Sequence, residues 1–304
     1  MAARPGISRC PAWTSERRSG HTVSDVTSQQ HSIAQVEVPG DVVRVVQLTD
    51  THLCRDRGGT LLGMDTDHSL QMVIDRVLRE CDDIDLLLCT GDLADNGAAQ
   101  AYRRLGEYVA RFDCDSFWLP GNHDVRSQMV AELPGGACLC EEIRAANWQI
   151  VMLDSQIPGE VGGELGAREL QRLDLALQAA REEQLYSLVC LHHHPVPIDT
   201  RWLDEQVVAD RNAFFEVLDR YDRVRGVLWG HIHQEIDRPH DGVKLLGSPS
   251  TCVQFRPGSD TFRADDKPPG YRWLELHRDG RLRTGVSRVT DVAFTVDLES
   301  GGYL

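Results

Sequence analysis

Five short polar clusters interrupt this sequence, and four of them follow directly after an apolar or β-branched run. In chain order they are Asp50-Thr51-His52, Gly91-Asp92, Gly121-Asn122-His123-Asp124, His192-His193-His194-Pro195 and Gly230-His231-Ile232-His233. An apolar run that ends in polar residues is typical of a β-strand that leads into a loop. In open α/β sheets, the loops at the carboxyl ends of the strands form the functional site. The pattern therefore predicts an α/β fold whose site collects side chains from five loops.

Between these clusters, strand-like and helix-like segments alternate from residue 42 onward. Apolar runs predict strands at 42–48, 84–89, 116–119, 148–153, 185–191 and 224–229. Helical spacing of apolar residues predicts helices at 66–80, with Thr66 as the N-cap, and at 97–112, 167–183 and 212–218. Shorter segments follow at 243–246, 251–255, 271–277 and 281–286, the last two joined by an Asp279-Gly280 turn. We expect an α/β half followed by an antiparallel half, with two sheets packed face to face and flanked by helices.

The N-terminal 40 residues differ from the rest of the chain. They are rich in Ser, Thr, Arg, Gln and Gly without periodicity, so residues 1–40 are predicted to form a disordered tail and 41–304 a single domain. Arg17-Arg18 is not followed by the apolar stretch of an export signal, and we expect a cytoplasmic protein. A formal net charge of −15 argues against binding to nucleic-acid polymers or to anionic membranes.

The clusters contain the side chains that bind divalent metal ions. They supply carboxylates, imidazoles and one amide, the set that hard or borderline divalent ions prefer. Alternate residues of an extended segment point the same way, so Asp50 and His52 could bind one ion together, with His233 completing the site. Asp92 begins a loop after a strand and is placed to bridge this ion to a second one.

A second ion needs ligands of its own, and Asn122, His192 and His231 could provide them. Two ions about 3.5–4 Å apart bind both the attacking and the leaving oxygen of a phosphoryl group, and a hydroxide that bridges the metals can then serve as nucleophile. His123 is left over once the ligands are assigned, and its imidazole could stabilise or protonate the leaving oxygen. Asp124 could orient His123.

The five clusters resemble the signature of the calcineurin-like metallophosphoesterase superfamily: Asp-x-His, Gly-Asp, Gly-Asn-His-Asp/Glu, His and Gly-His-x-His. The segments at 47–53, 62–66, 153–156, 191–195 and 249–255 are also similar to the bacterial class III 3′,5′-cyclic AMP phosphodiesterases. This resemblance covers roughly residues 43–290. It implies a four-layer α/β/β/α sandwich with two mixed β-sheets and a site for two metal ions.

The resemblance also implies a role for each site residue. One ion takes Asp50, His52, Asp92 and His233, and the other takes Asp92, Asn122, His192 and His231. Iron and manganese are the implied metals, with zinc, cobalt or magnesium as substitutes. His123 is the implied catalytic imidazole, with Asp124 beside it. Substrate contacts are expected from His52, Asp92, Asn122, His123, His193 and His233, although His193 could face the core instead.

The leading hypothesis is an enzyme that hydrolyses the cyclic phosphodiester of 3′,5′-cAMP to 5′-AMP and so lowers cellular cAMP. An alternative keeps the site and changes the substrate, to 2′,3′-cyclic nucleotides, glycerophosphodiesters or phosphomonoesters. A third hypothesis is a scaffold protein without catalysis, for which we would expect broken ligand clusters; this chain has none. The Pro- and Gly-rich segment 256–270 could be a cap, a contact in a homodimer or a plain loop.

Overall fold

The computed structural model describes residues 32–133 and 137–302. Its strands are β1 (Ile33–Val36), β2 (Val42–Leu48), β3 (Thr60–Leu61), β4 (Met64–Asp65), β5 (Leu86–Thr90), β6 (Asp115–Leu119), β7 (Ala137–Cys138), β8 (Glu142–Ala145), β9 (Trp148–Met152), β10 (Tyr186–Cys190), β11 (Val224–Trp229), β12 (Ile236–His240), β13 (Val243–Gly247), β14 (Gln254–Phe255), β15 (Ala264–Asp265), β16 (Gly270–His277) and β17 (Leu282–Arg288). Its α-helices are α1 (Thr66–Glu80), α2 (Ala99–Val109), α3 (Arg126–Glu132), α4 (Gly166–Glu182), α5 (Arg201–Asp204) and α6 (Arg211–Leu218).

Two mixed sheets carry most of these strands. The first has the order β17-β16-β2-β5-β6-β7, and the second has the order β1-β8-β9-β10-β11-β13-β12. In the first sheet β2, β5, β6 and β7 run parallel, whereas β16 and β17 add an antiparallel edge. In the second sheet β9, β10, β11 and β13 are parallel, and β8 and β12 are antiparallel to their inner neighbours. Apart from the short edge strand β7, these parallel strands occupy the middle of each sheet, where both faces are covered.

The two sheets pack face to face, with helices on both outer faces. The core between the sheets contains side chains from both, among them Val45, Leu88, Phe117, Ile150, Leu188 and Leu228. Helices α1 and α2 cover the first sheet, and α4 and α6 cover the second. Within the described part of the chain, no helix is both long and apolar enough to cross a membrane. The four-layer α/β/β/α sandwich is thus confirmed.

Most of the predicted elements lie within two residues of their observed positions. The strands predicted at 42–48 and 224–229 match β2 and β11 at both ends. The N-cap of α1 is Asp65 rather than Thr66, since the Asp65 carboxylate accepts a hydrogen bond from the backbone N–H of His68 at 2.9 Å. The expected antiparallel half is observed in part: β12 pairs antiparallel with β13, and β16 pairs antiparallel with β17 and β2, but β13 runs parallel to β11, so these strands extend the two sheets.

The predicted boundary of the N-terminal tail is also wrong in part. Residues 33–36 form β1, which runs parallel to β8 at the edge of the second sheet. Ala34 and Val36 pack against the core between the sheets, while Ile33 and Gln35 are exposed. Only two of the four side chains face the core, which is too weak a pattern to identify a strand. Residues 1–31 of the predicted tail lie outside the described residues, and the single domain over 41–304 stays a prediction.

Of the strands that the sequence did not predict, β8 and β12 each have a physical reason of their own. In β8 the buried Glu142 and Arg144 form an ion pair with each other, so charged residues stand where an apolar run would be expected. In β12 Pro239 interrupts the pattern, and the strand lies at the sheet edge, where a proline is tolerated.

Candidate dinuclear metal centre

The five polar clusters follow the carboxyl ends of five parallel strands. Three of these strands, β2, β5 and β6, belong to the first sheet, and two, β10 and β11, belong to the second. These strand ends lie on the same side of the sandwich. The evidence is that Nε2 of His233, after a strand of the second sheet, lies 3.3 Å from Oδ1 of Asp50, after a strand of the first. The predicted gathering of side chains from five loops is therefore observed.

The first ligand group contains Asp50, His52 and His233. Their ligand atoms all lie within 4.8 Å of one another, and all three residues are buried. The Nε2 atoms of His52 and His233 are 3.3 Å apart, and Nε2 of His52 is 3.8 Å from Oδ2 of Asp92. Two carboxylates and two imidazoles thus surround one small volume, as the ligands of a single divalent ion do.

The residues predicted for the second ion are Asp92, Asn122, His192 and His231, of which His192 and His231 have ligand atoms within 4.8 Å of each other. Oδ2 of Asp92 lies 3.2 Å from Nε2 of His192, so this carboxylate reaches both groups. Oδ1 of Asn122 and Nε2 of His231 are buried and have no hydrogen-bond partner in the described part of the chain. Buried polar atoms without partners are rare and costly, and a bound cation would satisfy both. The residues present therefore fit a second ion.

Hydrogen bonds fix the tautomers of two ligand imidazoles. Nδ1 of His192 lies 2.9 Å from the Thr90 carbonyl, and Nδ1 of His233 lies 2.7 Å from the Val253 carbonyl. A carbonyl can only accept, so each Nδ1 carries the proton and each Nε2 keeps a lone pair for a metal. The backbone thus selects the metal-binding form of both rings.

The backbone at the ligands is not extended, so the predicted reason for their convergence is wrong. Five ligand residues have positive φ angles between 43° and 65°: Asp50, His52, Asp92, His231 and His233. These are left-handed conformations, and the side chains meet because the loops turn tightly. The amides of Asp50 and His52 donate to the carbonyls of Gly91 and Asp92 at 3.0 and 2.9 Å, which ties the first cluster to the second.

Burial and neighbouring charges set the protonation of the site. Burial raises the pKa of Asp92, but the nearby His192 and His123 outweigh it and hold that pKa well below its usual range. Burial and the neighbouring His193 lower the pKa of His231. Burial also lowers the pKa of His192, but Asp92 outweighs burial and raises it to about 9. Without a metal, a protonated His192 therefore balances the charge of Asp92; a divalent ion bound here would supply that charge instead and leave Nε2 of His192 free to bind it.

Asp124 has a different role from the predicted one. Its buried carboxylate accepts hydrogen bonds from the amides of Leu93, Ala94 and Gly121 and from the Tyr102 hydroxyl, at 2.9–3.1 Å. Burial and the charge of Asp92 raise its pKa to about 6. Asp124 therefore joins the loop after Asp92 to the turn that carries Asn122.

The carboxylate that faces His123 is Asp95. Nδ1 of His123 lies 3.7 Å from Oδ1 of Asp95, and the backbone N–H of His123 donates to Oδ1 of Asp92 at 2.9 Å. Sequence reasoning missed Asp95, although it stands only three residues after Asp92. The sequence carries no signal for this pairing, because the pairing depends on how the chain turns after Asp92.

His193 lies on the core side, one of the two alternatives that the sequence left open. Its Nδ1 is 2.8 Å from the Ser155 hydroxyl, and its Nε2 is 3.2 Å from the Val161 carbonyl. The carbonyl fixes the proton on Nε2, so Nδ1 accepts from Ser155. Although its ring nitrogens lie near those of His192 and His231, both are already used by the protein. The geometry therefore does not favour the predicted substrate contact of His193.

The segment 256–270 contains the turn of a hairpin rather than a plain loop. Strands β14 and β15 pair antiparallel, and the Phe255 ring at the base of the hairpin stacks on His233 with centroids 4.0 Å apart and planes at 8°. Phe262 from the turn packs edge-on against Phe255 and Trp202. The hairpin thus supports a ligand of the first group, and its predicted role in a dimer stays a prediction.

Comparison with known proteins gives both a family and relatives. Residues 43–235 match the family model described as calcineurin-like phosphoesterase. The chain is 48% identical over 261 residues, 86% of this chain and 95% of the relative, to the 3′,5′-cyclic adenosine monophosphate phosphodiesterase CpdA of Pseudomonas aeruginosa. It is 40% identical over 263 residues, 86% and 95% of the two chains, to the protein of the same name from Escherichia coli K12. A dimetal phosphatase from Danio rerio has a TM-score of 0.60 at 16% identity, covering 83% of this chain and 100% of that one, and shares the fold.

Proposed function

Since the chain belongs to the calcineurin-like phosphoesterase family, we propose that it hydrolyses 3′,5′-cyclic AMP to 5′-AMP at a site for two metal ions. It is a metal-dependent hydrolase. The observation that carries the proposal is the presence of two buried ligand groups that share Asp92. The names of the relatives supply the cyclic nucleotide, because they are called 3′,5′-cyclic AMP phosphodiesterases.

Each proposed ligand set takes residues from the loops of both sheets. One ion would be held by Asp50, His52, Asp92 and His233, and the other by Asp92, Asn122, His192 and His231. The mixture of oxygen and nitrogen donors suits iron and manganese, which we propose as the resident ions. When bound, the two ions would polarise the phosphoryl oxygens and lower the pKa of a bound water.

His123 is proposed to move the proton that the leaving group needs. A water oxygen adds to phosphorus and releases a proton, the bond from phosphorus to the 3′ oxygen breaks, and the 3′ oxygen takes up a proton. The His123 imidazole can donate it, and the Asp95 carboxylate, 3.7 Å away, stabilises the protonated ring. The hydrogen bond from the backbone amide of His123 to the Asp92 carboxylate fixes the position of His123 relative to the shared ligand.

The substrate phosphate is proposed to lie beside the ligands, next to the half-buried Asn122 and His123. His52, Asp92, Asn122, His123 and His233 surround that position, and the His52 and His123 rings meet edge-on at 4.8 Å. The protein is acidic overall, so its attraction for an anion would come from the two cations rather than from its surface charge.

Substrate profiling tests this proposal. The protein is reconstituted separately with iron(II), manganese(II) and zinc(II), and kcat/KM is measured for 3′,5′-cAMP, 2′,3′-cAMP, a glycerophosphodiester and a phosphomonoester. We expect the highest value for 3′,5′-cAMP and no measurable turnover in Asp92→Ala or Asn122→Ala protein. His68→Ala, which removes an exposed imidazole on α1, is the control and should keep wild-type activity. A higher value for the monoester would refute the assignment of substrate, and turnover by Asp92→Ala would refute the mechanism.

A further inference from the structure

One glutamine closes the turn that carries Asn122. The Nε2 atom of Gln156, in the loop after β9, donates to the carbonyls of Gly121 and Asp124 at 2.7 and 2.6 Å. A primary amide has two N–H groups, so both bonds can form at once. They join the first and last residues of the turn and hold Asn122 and His123 between them.

The neighbouring Ser155 acts on the other two ligands of the same ion, His192 and His231, through His193. Its hydroxyl donates to Nδ1 of His193 at 2.8 Å. The His193 ring in turn lies against the rings of His192 and His231, with centroids 5.0 and 4.7 Å away. Ser155 and Gln156 thus contact residues that adjoin Asn122, His192 and His231, the three ligands that belong to the second ion alone.

A second glutamine, Gln254, closes a turn that contacts ligands of the first ion. Nε2 of Gln254 donates to the carbonyls of Ser250 and Cys252, both at 2.8 Å. Inside this turn the Val253 carbonyl accepts from Nδ1 of His233 at 2.7 Å. The Ser250 hydroxyl donates to the carbonyl of Asp50 at 2.7 Å. Gln254 therefore fixes two ligands of the first ion.

We propose that Gln156 and Gln254 are positioning residues, each of which sets the affinity of one metal ion and leaves the other unaffected. The inference rests on the ligand division of the proposed function. The hydrogen bonds of each glutamine close a turn belonging to one ligand set only, and Asp92 is the single ligand that both sets share. Loss of an outer partner that orients a metal ligand typically lowers metal affinity about 10–100-fold.

Manganese binding to metal-free protein tests the proposal. Gln156→Met and Gln254→Met keep the length of the side chain and remove both donors. Calorimetric titration with Mn²⁺ should show that each variant weakens one of two binding events about 10–100-fold. Gln178→Met, at an exposed position on α4, is the general control. Arg288→Met controls for the bond from Arg288 to Oε1 of Gln254, which Gln254→Met also removes.

Combination with ligand variants identifies the ion that each glutamine serves. In Asn122→Ala protein, which should retain the first ion, Gln156→Met should change Mn²⁺ affinity less than threefold and Gln254→Met should still lower it about 10–100-fold. In His233→Ala protein, which should retain the second ion, Gln254→Met should change Mn²⁺ affinity less than threefold and Gln156→Met should lower it about 10–100-fold. Circular dichroism checks that each variant is folded.

Three results would overturn the proposal: an equal loss at both ions in either single variant, no loss in either, or a loss from Gln156→Met in the Asn122→Ala background. Catalysis gives a second readout. Saturating Mn²⁺ should restore most of the activity of Gln156→Met, because a positioning defect is overcome by mass action. Activity that stays lost in fully loaded protein would contradict a positioning role. Since Mn²⁺ binding is measured without nucleotide, failure of wild-type protein to hydrolyse cAMP would refute only the proposed substrate.

Discussion

Replacement of Gly121 by alanine tests how closely the ligand loops approach each other. A β-carbon at this position would lie 2.5 Å from the backbone nitrogen of Asp92 and 2.7 Å from Cε1 of His192. An ordinary contact begins at 3.4 Å, so these atoms would have to recede by about 0.9 and 0.7 Å. Gly121 does not have a positive φ angle, and alanine can adopt its backbone conformation. The effect of the substitution is therefore steric.

Both atoms that must move belong to proposed metal ligands. A displacement of about 1 Å at a reacting centre can lower the rate roughly 100-fold. The added methyl group also strains a packed region, which lowers the free energy of unfolding by about 1–3 kcal/mol. We therefore expect Gly121→Ala to lower kcat/KM about 100-fold while the protein stays folded.

Three measurements on the same preparation decide the result: kcat/KM for 3′,5′-cAMP with Mn²⁺, the number of metal ions per chain, and unfolding in urea. Gly162→Ala is the matched control, because its β-carbon would meet no atom closer than Cα of Gln206 at 3.8 Å. The control should retain wild-type activity. A Gly121→Ala protein that binds two ions and stays within about threefold of wild-type activity would refute the argument from close approach.

Three further predictions concern stability. Chelation should lower the melting temperature by several degrees in differential scanning fluorimetry, because each ion at 100 times its Kd stabilises the fold by about 2.7 kcal/mol. Arg104→Met should lower the unfolding free energy in urea by about 3–5 kcal/mol, since it leaves the buried Asp67 carboxylate without its cation, whereas the exposed Arg103→Met should cost less than about 1 kcal/mol. Burial raises the pKa of Glu80, but hydrogen bonds from Ser287 and Tyr271 outweigh it and hold that pKa below its usual value. Glu80→Gln should therefore destabilise the fold at pH 7, with a difference in melting temperature that disappears as the pH falls below 4.5.

The sequence was sufficient to predict where the proposed ligands converge, because most of their clusters follow an apolar strand that is largely buried. Such strands are easily recognised, and β2 and β11 matched at both ends. The pairing of His123 with Asp95 could not be deduced, because it depends on the turn that the chain makes after Asp92. The role of Asp124 was misjudged for a similar reason. Its carboxylate lies among backbone amides of two loops, and a sequence pattern of side chains does not show where backbone N–H groups point.

The left-handed ligand residues show why the fold and the site depend on each other. Each such conformation costs about 1–3 kcal/mol and persists only where surrounding contacts fix it. The backbone amides of Asp50 and His52 are fixed by hydrogen bonds to the second cluster, and the His231 amide donates to Oδ1 of Asp50 at 2.9 Å.

The remaining clusters are joined to these in the same way. The Gly230 amide donates to the His192 carbonyl at 3.1 Å, and the His123 amide donates to Oδ1 of Asp92 at 2.9 Å. All five polar clusters therefore form one hydrogen-bonded network through backbone groups and the carboxylates of Asp50 and Asp92. The ligands are held in place by the chain itself, which is why small changes behind them, at Gly121, Gln156 or Gln254, should alter metal binding without unfolding the protein.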